Sequence, residues 1–199
     1  IVMTGGRIGK DGIHGATFSS EELHKDSPVQ AVQIGDPITQ KVMSDFIYEA
    51  RDLSLYRFIT DNGAGGLSSS IGEMATECGG CRMDLGKAPL KYTGLEPWEI
   101  LISEAQERMS FAVPPENIEK FISVAQKHEV EATVLGTFTD SGKVHLLYND
   151  KTVAYLDIEF LHNGCPRMKL NAKWTPHTWN EPAKNDLNKR NVKDDLLQI

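Results

Sequence analysis

Cysteine is scarce in this chain: three among 199 residues, an odd number and too few for the disulfide framework that staples small secreted folds. Cys78 and Cys81 form a C-x-x-C in "ECGGC", but a structural zinc site takes four ligands and the sequence holds no second pair. A loop with incidental thiols is expected there. Long hydrophobic runs are missing too. No stretch approaches the ~20 apolar residues that cross a bilayer, and no basic-then-apolar leader with a small-residue cleavage site is visible. A cytoplasmic protein is therefore expected. Positive charge is also in deficit, with 21 Lys and Arg against 28 Asp and Glu and a net charge of −7. That balance argues against sequence-independent nucleic-acid binding and against an anionic membrane surface, both of which use concentrated Lys and Arg. An anionic ligand would need locally arranged donors or a metal. No Ser-His-Asp order, HExxH or paired-carboxylate motif emerges, so no complete catalytic set is expected. No internal repeat with a period of roughly 20 to 50 residues is present either.

Glycine, by contrast, is concentrated at the start. "GGRIGKDGIHGAT" (5–17) holds five glycines, with Arg7, Lys10, Asp11 and His14 between them. Glycine reaches positive φ and lets another group approach the main chain, at an entropic cost. The stretch matches neither G-x-G-x-x-G nor G-x-x-x-x-G-K-[ST], so a phosphate cradle and a plain leader both remain open. The first residue is Ile and the next few read as a strand, as expected of a piece of a longer polypeptide. At the other end, 171–199 is polar, Pro-interrupted and mixed in charge. The expected organisation is a domain over 1–165 and a polar linker over 166–199.

Between these ends, strands and helices alternate and then strands cluster. "VQAVQI" (29–34) reads as a strand, and Asp36-Pro37 as the cap and first turn of a helix whose apolar face is Ile38, Val42, Phe46 and Ala50. Tyr56–Thr60 reads as a second strand delivering Asp61 to its carboxyl end, followed by the glycine turn "NGAGG" and a helix. A short helix around "EPWEILISE" precedes the strand "RMSFAV". "PPENIEKFISVAQKHEV" is amphipathic, with Ile118, Phe121, Ile122 and Ala125 inward. "EATVLGTFT", "KVHLLYN" and "TVAYLDIEF" read as an antiparallel meander. The class is α+β: α/β/α layers with a mixed β-sheet flanked by helices.

Ligands in layered sheets sit at the carboxyl ends of strands. Asp61, followed by flexible backbone and a helix start, is either a Mg²⁺ ligand or a turn-forming aspartate. Gln33, in an apolar strand, is either a satisfied core amide or a ligand-facing one. Glu104 and Gln106 stand at a strand entrance, with exposed loop polarity as the alternative. His14 could donate to a phosphate or be a surface residue.

Taken together, "GGRIGKDGIHGATFSS", "AVQIGDPITQKV", "DNGAGGLSSSIGEMA" and "EPWEILISEAQERM" resemble the phosphoribosylformylglycinamidine synthase family, in family order and with similar spacing over about 3–160. The region resembles the first of that family's two C-terminal-type domains, whose fold is shared with aminoimidazole ribonucleotide synthetase. The resemblance implies an ATP-dependent carbon–nitrogen ligase of purine biosynthesis that uses ATP and Mg²⁺. Ammonia would come from a glutaminase subunit or domain. It implies substrate contacts from Gln33, Glu104, Ala105 and Gln106 to formylglycinamide ribonucleotide, and a Mg²⁺ contact from Asp61. Arg7 and His14 are weaker candidates. Here Ala105 stands where the family's "ESQ" has a hydroxyl, and "TDNGAGG" where "QDMGAAG" is commoner. The family's essential histidine and most ATP contacts lie in a preceding domain and in a second homologous half, so the chain by itself is expected to be inactive. A non-catalytic module of the same fold, or a sibling enzyme on another substrate, is the alternative.

Overall fold

Asp36 and Pro37 start a helix as their chemistry dictates. In the computed structural model, which describes residues 1–13, 25 and 35–176, helix α1 runs Pro37–Asp52. Asp36 Oδ1 accepts from the Ile38 and Thr39 amides, both at 3.1 Å, and Oδ2 accepts from Thr39 Oγ1 at 2.8 Å. Met43, Phe46 and Ala50 form its buried face, whereas Ile38 is 76% exposed. The expected apolar row thus begins one turn late, at Val42 and Met43. The strand expected at 29–34, with Gln33, lies outside the described residues.

The remaining elements are strands β1 (Val2–Gly5), β2 (Phe58–Asn62), β3 (Cys81–Asp84), β4 (Ala105–Ala112), β5 (Ala132–Val134), β6 (Gly136–Phe138), β7 (Lys143–Tyr148) and β8 (Lys151–Asp157), with helices α2 (Gly66–Cys78), α3 (Pro97–Ile102), α4 (Ile118–Lys127) and α5 (Ile158–Asn163). The strands make two sheets. One has the order β2-β4-β1-β5 and is antiparallel throughout. The other has the order β6-β3-β7-β8 and is mixed, with β3 parallel to β7. The α+β class holds, with two sheets in place of one.

The meander is corrected in two respects, the first being that "TVAYLDIEF" is a strand only as far as Asp157, since Ile158–Asn163 is helix α5. β7 and β8 do form a hairpin, closed by Asn149 and Asp150 at φ 50° and 66°, the positive values a tight hairpin turn requires. "EATVLGTFT", however, divides at Leu135: β5 joins the first sheet and β6 the second, where β3 separates it from β7. Gly136 permits this. A Cβ there would stand 2.0 Å from the Arg82 carbonyl oxygen, so only glycine lets β6 close on β3. Leu135 is fully buried; its N–H donates to Ile1 O (3.0 Å) and its carbonyl accepts from Asp84 N (2.9 Å).

Alternation along β1 divides the core. Ile1 and Met3 pack with Leu67, Ile71, Met83 and Leu146, where α2 meets both sheets. Val2 faces the opposite way, onto Phe46, Phe111 and Phe121 beneath α1 and α4. These three rings meet edge to face, with centroids 5.0 to 5.9 Å apart. In α4 the inward residues are Phe121, Val124 and Ala125, while Ile118 and Ile122 are only half-buried. Two compact units divide the chain, Ile1–Cys165 and Pro166–Ile199. In the second, the described residues 166–176 carry no regular secondary structure.

Candidate functional site

Most backbone donors in the described part of the glycine-rich opening are bonded within the protein. Gly5 N donates to Glu131 O, Gly6 N to Glu107 O, Ile8 N to Pro89 O, Gly12 N to Gly9 O and Ile13 N to Lys10 O, all at 2.9 to 3.2 Å. Lys10 N donates to Tyr92 Oη at 2.7 Å. Six of the nine N–H groups in 5–13 are thereby committed to protein acceptors, which leaves few of them for an anion. The glycines serve close approach instead: Gly5 has φ +85°, and a Cβ there would lie 2.2 Å from the Glu107 carbonyl oxygen. Arg7 forms a surface ion pair, its Nε 2.8 Å from Glu131 Oε2. It also lines a cavity of about 380 Å³ with Gly5, Gly6, Asp36, Lys91 and Glu107. His14 lies outside the described residues.

Asp61 is exposed and sits within β2, one residue before its end and not beyond it. Its Oδ1 accepts from Gly63 N at 2.8 Å, a turn that folds the chain back upon the carboxylate. The pairing shifts here: Asp61 faces Met109 but Asn62 faces Ala105, so residues 106–108 of β4 form a bulge. Asn62 is fully buried, its Oδ1 accepting from Ser110 Oγ at 2.7 Å. Ser110 Oγ lies 3.1 Å from Ser70 Oγ of α2. Asn62 Nδ2 finds no acceptor among the described residues.

Glu104 joins the separate stretches. It is 3% exposed; its Oε1 accepts from Gly65 N at 3.0 Å, and its own N–H donates to Gly12 O at 2.7 Å. The turn after Asp61, the glycine-rich opening and the entrance to β4 therefore meet at one carboxylate. Ala105 is buried beside it and Gln106 is exposed, so both belong to the strand and not to its approach. Gly66, at φ +55°, makes the meeting possible, because a Cβ there would stand 2.3 Å from Ser103 O.

Arg108 is a residue that sequence reasoning missed. It is 1% exposed, and its guanidinium donates to Gly6 O (2.7 Å), Ser103 O (2.7 Å) and Arg7 O (3.0 Å). Burial lowers its pKa to about 10, with Glu107 and Asp11 opposing that fall. The signal was present in the alternation: the period that sends Ser110 and Ala112 inward also sends Arg108 inward. Ser103 Oγ adds a bond to Gly9 O at 3.1 Å. A narrow cleft lies over this junction, lined by Arg7, Gly12, Lys91, Glu104, Ala105 and Arg108.

As a metal ligand Asp61 offers one hard oxygen, since Oδ2 accepts no hydrogen bond among the described residues. No group of three His, Cys, Asp or Glu that could hold a metal occurs among those residues. Mg²⁺ is commonly held by one or two carboxylates with the rest of its shell from water and phosphate, so a single carboxylate fits that ion and not a closed structural site. Cys81 is fully buried, with its thiol pushed up to about 11, whereas Cys78 is exposed; the C-x-x-C lacks thiolate character on its buried member.

The AIR synthase related protein C-terminal domain matches residues 1–149. The chain belongs to that family. It is similar to the phosphoribosylformylglycinamidine synthase subunit PurL of Methanopyrus kandleri, at 39% identity over 191 residues, covering 94% of this chain and 26% of that subunit. It thus spans about a quarter of the curated relative's length. Among solved structures, T. maritima PurL complexed with FGAR matches 92% of this chain and 30% of its own, with TM-score 0.79 and 32% identity. The same protein complexed with ATP matches 89% of this chain and 27% of its own, with TM-score 0.73 and 28% identity. The α+β domain fold of this family is therefore the fold of this chain.

Proposed function

We propose that this chain forms one wall of the formylglycinamide ribonucleotide site of a phosphoribosylformylglycinamidine synthase. That enzyme is an ATP-dependent ligase that replaces the substrate's amide oxygen with nitrogen from ammonia. The observation that carries the reading is Glu104, fixed between Gly65 N and Gly12 O, in a chain similar over 92% of its length to PurL complexed with FGAR. Its backbone and carboxylate hold Ala105 and Gln106 at the entrance of β4, and segment 104–106 is the part of that strand's entrance that meets the substrate. Gln33 supplies an amide from the segment preceding α1. Ala105 offers no hydroxyl, and its contact is one of shape alone.

Asp61 is the residue that would hold Mg²⁺ through Oδ2, while Oδ1 is anchored by Gly63. When bound, that ion supplies neutralisation of the charge developing on the transferred phosphoryl group. ATP is bound mainly by parts of the synthase beyond this chain, and ammonia comes from a glutaminase partner. Residues 1–165 are the synthase domain, and 166–199 lead towards the second half. The enzyme works in the cytoplasm.

Glu104→Gln and Asp61→Asn in the synthase that contains this chain test the assignment. Loss of a charged hydrogen-bonding partner at Glu104 raises the KM for formylglycinamide ribonucleotide by roughly 10- to 100-fold. Asp61→Asn raises the Mg²⁺ concentration for half-maximal turnover. Wild-type values for both variants would refute the roles. Ala105 favours a second reading, a module that kept the fold without the chemistry; a synthase that shows no ATP- and ammonia-dependent turnover of the ribonucleotide would support it.

A further inference from the structure

A guanidinium without solvent is costly, and this one points at backbone. Arg108 stands at the end of the β4 bulge, fully enclosed, and its fork spans carbonyls from two segments about a hundred residues apart in sequence: Gly6 and Arg7 of the opening, and Ser103 next to Glu104. Ser103 Oγ closes the same junction from the other side by donating to Gly9 O. Ser103 O also stands where Gly66 opens α2, so its position is fixed from three directions. A lysine has three donors but on one nitrogen, and cannot reproduce a fork whose three nitrogens each meet a different carbonyl.

We infer that Arg108, together with Ser103, is a positioning brace for the Glu104–Gln106 segment. It sets the place of those residues against the glycine-rich opening without touching the ligand itself. The inference rests on the substrate role proposed above. Without the brace, the Ser103 and Gly6 carbonyls lose their buried donor, and the 103–106 backbone moves away from Gly12 and Gly65. Misplacement on the ångström scale at a binding edge costs on the order of 10²-fold in efficiency.

The test uses the synthase that contains this chain, with Arg108→Lys, Ser103→Ala and Glu104→Gln assayed side by side, and with amide exchange followed by peptide mass spectrometry. Arg108→Lys is expected to raise the KM for formylglycinamide ribonucleotide roughly 10- to 100-fold, with kcat changed less than about 3-fold. Exchange should quicken over 9–13 and 103–107 but not over β7, a pattern that general loss of stability would not give. Ser103→Ala, which keeps the fork, is expected to raise KM about 2- to 10-fold. A folded Arg108→Lys protein with wild-type KM and exchange overturns the brace. If that variant fails to fold, a wild-type KM in Ser103→Ala overturns it instead. An effect of Glu104→Gln with an inert Arg108→Lys sinks only the brace, whereas an inert Glu104→Gln sinks the substrate assignment beneath it.

Discussion

Gly66→Ala tests the close approach on which the junction depends, and Gly94→Ala isolates the part of its effect that comes from φ alone. Gly66 has φ +55° and Gly94 φ +92°, but an added Cβ at Gly94 meets nothing within 4 Å. At Gly66 it would stand 2.3 Å from Ser103 O and 2.9 Å from the carbonyl carbons of Ile102 and Ser103. Both substitutions carry the left-handed penalty of about 1 to 2 kcal/mol. Both also regain ~0.4 to 1 kcal/mol from a stiffer unfolded chain. Only Gly66→Ala must displace backbone, which adds about 1 to 3 kcal/mol of overpacking. Gly66→Ala is therefore expected to destabilise by ~2 to 4 kcal/mol and Gly94→Ala by about 1 kcal/mol. Urea denaturation of both variants beside the parent chain, with m-values compared, measures the difference. Equal midpoints would refute the argument that Ser103 O is packed against α2.

Phe111→Ala removes the ring that meets Phe46, Phe121 and Tyr56 at once, and should destabilise by roughly 3 to 5 kcal/mol, with Phe111→Leu milder, as read by chemical denaturation. A cost under about 1 kcal/mol would mean the cluster repacks. Acid should weaken the fold in a defined sense. The Thr39 amide and hydroxyl hold the Asp36 carboxylate below its ordinary range, Lys127 and His128 do so for Glu49, and the Glu96 amide and Lys10 for Glu99. Depressed carboxylates stabilise fully above their unfolded pKa of about 4 and lose that contribution as pH falls through the lower folded values. The denaturation midpoint should therefore drop below about pH 4, and Asp36→Asn should flatten part of the drop. Thiol counting on the native chain should titrate Cys78 and Cys165 quickly at about pH 8, and Cys81 only after unfolding, because burial raises its thiol to about 11. Fast reaction of all three would contradict the buried position of β3.

Most of the local structure was legible in the sequence because short-range chemistry writes it. Asp36-Pro37 caps α1, Gly65-Gly66 opens α2 and Asn149-Asp150 turns the last hairpin, each by a rule that spans four residues or fewer. What was not legible depended on distant partners. The split of "EATVLGTFT" at Leu135 answers to β3, some fifty residues earlier, and no pattern within the run records it. The glycine-rich opening could be read as an anion loop or as a plain leader because composition does not say where N–H groups point; the carbonyls of Glu131, Glu107 and Pro89 take those of Gly5, Gly6 and Ile8. In the candidate site, Glu104 and Asp61 were visible as polar residues at strand ends. Arg108 was not, because an arginine among charged neighbours reads as solvated until its three carbonyls are placed around it.

Leu135 constrains how this domain can move. A single residue carries the chain from one sheet to the other, with its N–H bonded to Ile1 just before β1 and its carbonyl to Asp84 at the end of β3. Sliding either sheet past the other would break at least one of these bonds and strain a buried leucine, so shear between the sheets is opposed.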